Sequence, residues 1–338
     1  MPDWYSNPGF ALATIFLVVG FYMLIKGADI LVEGAVVIAR KAELSPAVVG
    51  ATVVAFGTSL PELVVSVGSN IKAISSGSAL DPNGPAAIAI GNIVGSNIFN
   101  IGAILGISAF FSHLEVPPDT RRRDYPIMLG ALFAMVFFSV SGEPYQIDRT
   151  EAAILFVGLI LFTFQAIKLG KAEVSENNVA SKEASIGPAL ILLGIGIVML
   201  GLGGEISLTG AIAISRELGL SERVIGLTIM AIGTSLPELA TSIQASRKGH
   251  HAIAVANVVG SNIFNVFCII GISGMIIPLS VHPAMLGWDF FWMCGFSLSM
   301  AWCFWVQKRI GKIAGGILVF ALCTYVGILL FKENASFL

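Results

Sequence analysis

The chain has 338 residues, of which 56% are hydrophobic and 12% charged, and its mean hydropathy is +0.87. Soluble domains carry about 25% charged residues, so an ordinary soluble domain is excluded and a polytopic membrane protein is expected. The net charge of −2, without a basic patch or basic residues interleaved with aromatics, excludes a nucleic-acid partner.

A hydrocarbon core of about 30 Å requires apolar stretches of about 17 to 25 residues. Ten are found in chain order: Phe10 to Ala39, Pro46 to Asn70, Ala86 to Phe111, Tyr125 to Ser141, Glu151 to Leu169, Gly187 to Ser215, Glu222 to Ser246, Ala252 to Ile277, Ala284 to Val306 and Ile313 to Phe331. The stretch before Phe10 lacks a basic segment and a small-residue cleavage signal, so the first span is read as a retained helix. Cys268, Cys294, Cys303 and Cys323 fall inside apolar runs without metal-site spacing, which implies no disulfide framework and no zinc site.

The spans divide into residues 1–168, a polar linker over 169–187, and residues 188–338. Gly27 answers Gly203, Asp29 answers Glu205, Gly34 answers Gly210, Ser45 answers Ser221 and Glu62 answers Glu238, all at an offset of 176. Further on, Asn92 to Asn100 (NIVGSNIFN) answers Asn257 to Asn265 (NVVGSNIFN) at an offset of 165. Five spans per half is odd, so the halves must enter the membrane from opposite faces, as an inverted-topology repeat with its site near the midplane. Thirteen loop lysines and arginines, from Arg40 and Lys41 to Lys308, Arg309 and Lys312, lie on the side reached after the first helix, against five on the other. Cytoplasmic loops carry the positive excess, so both termini are expected outside the cytoplasm and the linker inside.

The second and seventh spans each carry GTSLPEL, at Gly57 to Leu63 and Gly233 to Leu239. Proline within a helical run removes a backbone donor, and Gly57 loosens the same turn, so carbonyls near Ala55 and Ala231 are expected to be freed beside a carboxylate. An ionisable group at membrane depth is a functional candidate by default. The pseudo-two-fold axis would gather Glu62, Glu238, Thr58, Ser59, Thr234, Ser235, Ser96, Ser261, Asn100 and Asn265, an all-oxygen set that suits a hard cation. Two glutamates balance one divalent charge. Asn92, Asn97, Asn257 and Asn262 are read as helix–helix hydrogen-bonding residues, Gly95 and Gly260 as close-packing positions, and Arg121 to Arg123 as anchors of the cytoplasmic face.

The paired GTSLPEL and GSNIFN motifs, each within a five-helix half, resemble the alpha repeats of the cation/calcium exchanger superfamily, most closely its prokaryotic sodium/calcium exchanger branch. The resemblance implies calcium held by Glu62, Glu238 and the carbonyls of Thr58 and Thr234. It implies sodium sites drawing on Ala55, Thr58, Ser59, Glu62, Ser96 and Asn100 from one half and Ala231, Thr234, Ser235, Glu238, Ser261 and Asn265 from the other. Where many members have an aspartate in the second GSNIF motif, this chain has Asn265, which adds no anionic charge. The expected activity is sodium/calcium antiport by alternating access in the cell (inner) membrane, working as a monomer without a cofactor, with the long first and sixth helices sliding across the rest. Exchange of about three sodium ions for one calcium, as the resemblance implies, would carry net charge worth about 2.3 kcal/mol per 100 mV. Proton/calcium exchange on the same architecture and a cation channel are the alternatives; a serine-nucleophile enzyme lacks a base in reach of Ser59 or Ser235.

Overall fold

The computed structural model describes residues 8–77, 85–141, 145–174, 186–219, 231–283 and 285–335. Among these, eight helices are long and apolar enough to cross a membrane, and a ninth span is bent by 43° between Pro46–Thr58 and Leu60–Ser75. The protein is an all-α, multi-pass membrane protein. The expected start of the seventh span at Glu222, the Ser221 that answers Ser45, and most of the 169–187 linker lie outside the described residues.

The first half consists of α1 (Phe10–Lys41), α2 (Pro46–Thr58), α3 (Leu60–Ser75), α4 (Pro85–Phe99, continuing to Phe111), α5 (Thr120–Ser141) and α6 (Arg149–Val174). The second consists of α7 (Ile186–Glu217), α8 (Ala231–Thr234), α9 (Leu236–Arg247), α10 (His251–Ile276), α11 (Met285–Gln307) and α12 (Lys312–Ala335). Local signals set several boundaries. Pro46 occupies the first turn of α2, and Ser45 Oγ accepts the Val48 N–H while donating to Asp119 Oδ2 at 2.7 Å. At the start of α6, Asp148 Oδ1 accepts the Glu151 N–H and Glu151 Oε2 accepts the Asp148 N–H, a capping box.

The fourth span begins earlier than its hydropathy indicates. Helix α5 starts at Thr120 and takes Arg121 to Arg123 into its first turns, where Arg123 is buried and not a surface anchor. Its Nε pairs with Asp124 Oδ1 at 2.6 Å and its Nη1 donates to Ala166 O, so the helix carries its own counter-ion.

Helices α1 and α7 form the most extensive helix pair, antiparallel along their length. Gly20, Gly27 and Gly34 on one and Gly196, Gly203 and Gly210 on the other recur every seven residues. A Cβ at Gly203 would sit 2.9 Å from Gly20 O, and one at Gly196 would sit 2.8 Å from the Leu31 nitrogen. Only glycine permits backbones this close, the association mode expected where lipid gives no hydrophobic drive between helices.

Two short antiparallel pairings tie the halves together. Strand β1 (Leu114–Glu115), after α4, pairs with β4 (Arg309–Ile310), before α12; β2 (Gln146–Ile147), before α6, pairs with β3 (Leu279–Ser280), after α10. The last helix of each half therefore packs against α4 or α10 of the other half. Helix α10 is the most enclosed span, with 94% of its apolar window buried. Gly260 makes that possible, because a Cβ there would meet Ala51 O of α2 at 2.5 Å. The corresponding neighbour of Gly95, Leu227, lies outside the described residues.

Candidate functional site

Both GTSLPEL motifs break their helix at the serine. Ser59 (φ −85°, ψ 7°) and Ser235 (φ −92°, ψ 9°) leave helical geometry, and Pro61 and Pro237 stand in the first turn of the helices that follow. Proline has no N–H to give the carbonyl one turn back, so Gly57 O and Gly233 O lose their usual donors. Ala55 O is not among the freed carbonyls, since it accepts the Ser59 N–H at 3.0 Å and the Thr58 hydroxyl at 3.2 Å. In the second half the Ser235 N–H donates to Ile232 O at 3.2 Å. The side chain of Ala231 is outside the described residues.

The break puts each glutamate in the first turn of a new helix deep inside the protein: Glu62 is 0% and Glu238 1% exposed. Each carboxylate is held by the serine of the opposite motif. Ser59 Oγ donates to Glu238 Oε1 at 2.9 Å, and Ser235 Oγ donates to Glu62 Oε1 at 3.2 Å. These reciprocal bonds bring the two motifs together across the pseudo-two-fold axis.

The GSNIFN motifs close the ring. Ser96 and Ser235 hydroxyls lie 3.0 Å apart; Asn265 Nδ2 donates to Ser96 Oγ at 3.1 Å and to Asn97 Oδ1 at 2.9 Å; Asn100 Nδ2 donates to Asn262 Oδ1 at 2.9 Å. Thr58 Oγ1 meets Asn257 Oδ1 and Thr234 Oγ1 meets Asn92 Oδ1, each at 3.4 Å, and the amides of Asn257 and Asn92 donate in turn to Ser242 and Ser66. Asn92, Asn97, Asn257 and Asn262 thus act as cross-helix hydrogen-bonding residues. The serines at 66 and 242 were not singled out from the sequence, although their mutual offset of 176 marks them as repeat mates. Immediately after Asn100 and Asn265, both helices widen into π-helical turns, Asn100–Leu105 and Asn265–Ile270, a distortion common at functional sites.

Several polar atoms around these motifs are left over. Glu62 Oε2, Glu238 Oε2, Asn100 Oδ1, Asn265 Oδ1 and Ser261 Oγ are buried without a hydrogen-bond partner. Buried oxygens are rarely left so. Two carboxylates, two amides and a hydroxyl are all oxygen donors, and their chemistry fits calcium or sodium better than a thiolate- or imidazole-seeking metal.

The family model described as "Sodium/calcium exchanger protein" matches residues 12–168 and 188–331, both halves of the repeat. The chain belongs to the sodium/calcium exchanger family. Its similar relatives include "Putative antiporter CaxA" of Alkalimonas amylolytica, 33% identical over 93% of this chain and 97% of that one. "Inner membrane protein YrbG" of Escherichia coli K12 is 32% identical over the same shares. "Sodium/calcium exchanger MaX1" of Methanosarcina acetivorans is 31% identical over 80% of this chain and 85% of its own. Among solved structures, the sodium-calcium exchanger NCX_Mj superposes with a TM-score of 0.77 at 29% identity, covering 94% of this chain and 99% of that one. As a member of this family the protein is a cation/calcium antiporter, a transporter with ions as substrates.

Away from the site, the acidic residues of α1 are paired. Lys248, just past α9, meets Asp29 Oδ1 and Glu33 Oε1, both at 3.0 Å. Partial burial alone would pull its ammonium down, but hydrogen bonds and charge pairing with Glu33 and Asp29 outweigh this and hold it above the usual lysine value.

Proposed function

We propose that the protein exports calcium across the cell (inner) membrane in exchange for sodium, by alternating access around one shared site. Calcium is held by Glu62, Glu238 and the carbonyls of Thr58 and Thr234. Sodium ions occupy overlapping positions drawn from Thr58, Ser59, Glu62, Ser96 and Asn100 and from Ala231, Thr234, Ser235, Glu238, Ser261 and Asn265. The observation that supports this reading best is the pair of buried carboxylates, each hydrogen-bonded by the other motif's serine and each keeping a second oxygen without a partner.

With two carboxylates and neutral Asn100 and Asn265, one calcium neutralises the site. A loaded site can cross the membrane region, whereas two bare buried charges are costly to carry through it. Calcium and sodium therefore compete, and each loaded form licenses the switch between openings. The glycine-seamed α1–α7 pair, which touches the remainder less intimately than itself, slides as one body across the other helices. Both termini lie outside the cytoplasm, residues 169–187 join the two repeats inside it, and one chain suffices for exchange.

The test is calcium-45 flux in proteoliposomes under an imposed sodium gradient, for the native chain, Glu62→Gln and Glu238→Gln. Uptake driven by sodium, indifferent to a pH gradient and lost in both variants is expected. Uptake driven by a proton gradient alone would replace sodium with protons as the coupled ion, and flux that neither saturates nor couples would replace the antiporter with a channel.

A further inference from the structure

The two halves are equivalent in sequence but not in how they grip the α1–α7 pair. At one end α9 packs along α1, whereas their repeat mates, α3 and α7, have no comparable packing. Gln244 Nε2 donates to Ile25 O at 3.4 Å, and one turn further Lys248 binds Asp29 and Glu33. Subtracting 176 from the α9 residues and adding it to the α1 residues gives the mirror set: Gly68 and Lys72 on α3, and Gly201, Glu205 and Thr209 on α7. None of the mirror contacts is formed. Among the described residues a Cβ added at Gly68 or at Gly201 would meet nothing within 4 Å, and no ion pair links the exposed Lys72 to Glu205, which is engaged elsewhere.

We infer that Lys248 with Asp29 and Glu33 is one of two mirror-related latches between the α1–α7 pair and the surrounding helices, and that the other, Lys72 with Glu205, closes only when access switches to the opposite side. The inference rests on the alternating-access reading above. In an inverted repeat the second state is the first with the halves exchanged, so a contact made at one end foretells its mate at the other. The mates are unequal. Lys248 has two carboxylates, whereas Lys72 has only Glu205, which must leave its present partner, and, in place of Glu33, the uncharged Thr209; Gln244 has a backbone acceptor, whereas Gly68 has no side chain to offer. This imbalance holds the ion-free protein in the state with the α1–α9 contact closed. A partly exposed ion pair is the right strength for such a device: strong enough to bias a two-state equilibrium, weak enough for ion binding to override.

Spin labels at Gly68→Cys and Gly201→Cys test this, with Cys268, Cys294, Cys303 and Cys323 replaced by alanine, since both label positions have room for a side chain. Double electron–electron resonance on the full chain reads the ratio of long to short α3–α7 distances. The long distance should dominate. Lys248→Gln should move the ratio about two- to tenfold toward the short distance, the range expected of partly exposed ion pairs. Thr209→Glu, which gives Lys72 its second carboxylate, should move it the same way, Lys72→Gln should not, and Lys248→Glu combined with Asp29→Lys should restore the original ratio. Should Lys248→Gln fail to fold, Thr209→Glu decides, because it disturbs only a bond within its own helix. A ratio unmoved by Thr209→Glu, or moved toward the short distance by Lys72→Gln, overturns the latch. Exchange measured on the same preparations separates the two readings: distances that shift in a chain without exchange keep the latch and reject the antiport mechanism, and exchange without any shift does the reverse.

Discussion

Replacing Glu238 by glutamine separates what the carboxylate does for ions from what it does for the fold. Glu238 Oε1 accepts from Ser59 Oγ, a bond the amide oxygen of glutamine retains, while Oε2 has no partner to lose. Removing one member of a buried charge pair costs about 3–5 kcal/mol, so calcium binding should weaken by roughly two to four orders of magnitude at about 1.4 kcal/mol per tenfold. At calcium one hundred times the native Kd, the native chain gains about 2.7 kcal/mol of stability; a variant weakened a hundredfold gains only about 0.4 kcal/mol. Without calcium the sign reverses, because two buried anions facing one another are relieved when one becomes neutral. Thermal unfolding followed by tryptophan fluorescence reads both effects. The expected result is an ion-free Tm at or above the native value and a calcium-induced rise that is almost abolished, with the same pattern for Glu62→Gln. A native-sized calcium shift in either variant would refute the paired-carboxylate reasoning.

Three further outcomes follow from the same geometry. Ser59→Ala and Ser235→Ala each remove a hydrogen bond to a charged group, worth about 1.5–3 kcal/mol, and should raise the calcium KM of exchange by at least about tenfold and to a similar extent, since they are repeat mates. Gly260→Val should cost about 1–3 kcal/mol or more through overpacking against Ala51, read as loss of the monodisperse peak in size-exclusion chromatography, while Gly68→Val, where nothing lies within 4 Å, should be tolerated. Strontium should compete with calcium in the flux assay far better than zinc, because the ligands are all oxygen; zinc competing equally would point to a different donor set.

Hydropathy placed the spans that lie within the described residues to within about five residues, and the offsets of 176 and 165 picked out the motif pairs that meet through the Ser59–Glu238, Ser235–Glu62 and Asn265–Ser96 hydrogen bonds. Other features left no periodic signal. Helix α5 buries Arg123 because Asp124 takes its Nε and Ala166 O its Nη1, a compensation that depends on helix α6 being alongside. Two-residue strands such as Leu114–Glu115 are too short to read from alternation, yet they decide that α12 packs against α4 of the other half. A proline announces a break, but which carbonyls it frees depends on neighbours: Ala55 O is claimed by Ser59 and Thr58. The π-helical turns that begin at Asn100 and Asn265 carry no glycine or proline signature common to both copies.

The central claim is that one ion bridges two carboxylates supplied by opposite halves of the chain. Anomalous scattering from crystals soaked in strontium would locate that ion directly. The account predicts a single strong peak within direct coordination distance of oxygens of both Glu62 and Glu238, lost on sodium addition; a peak held by only one of the two, or lying away from both, would contradict it.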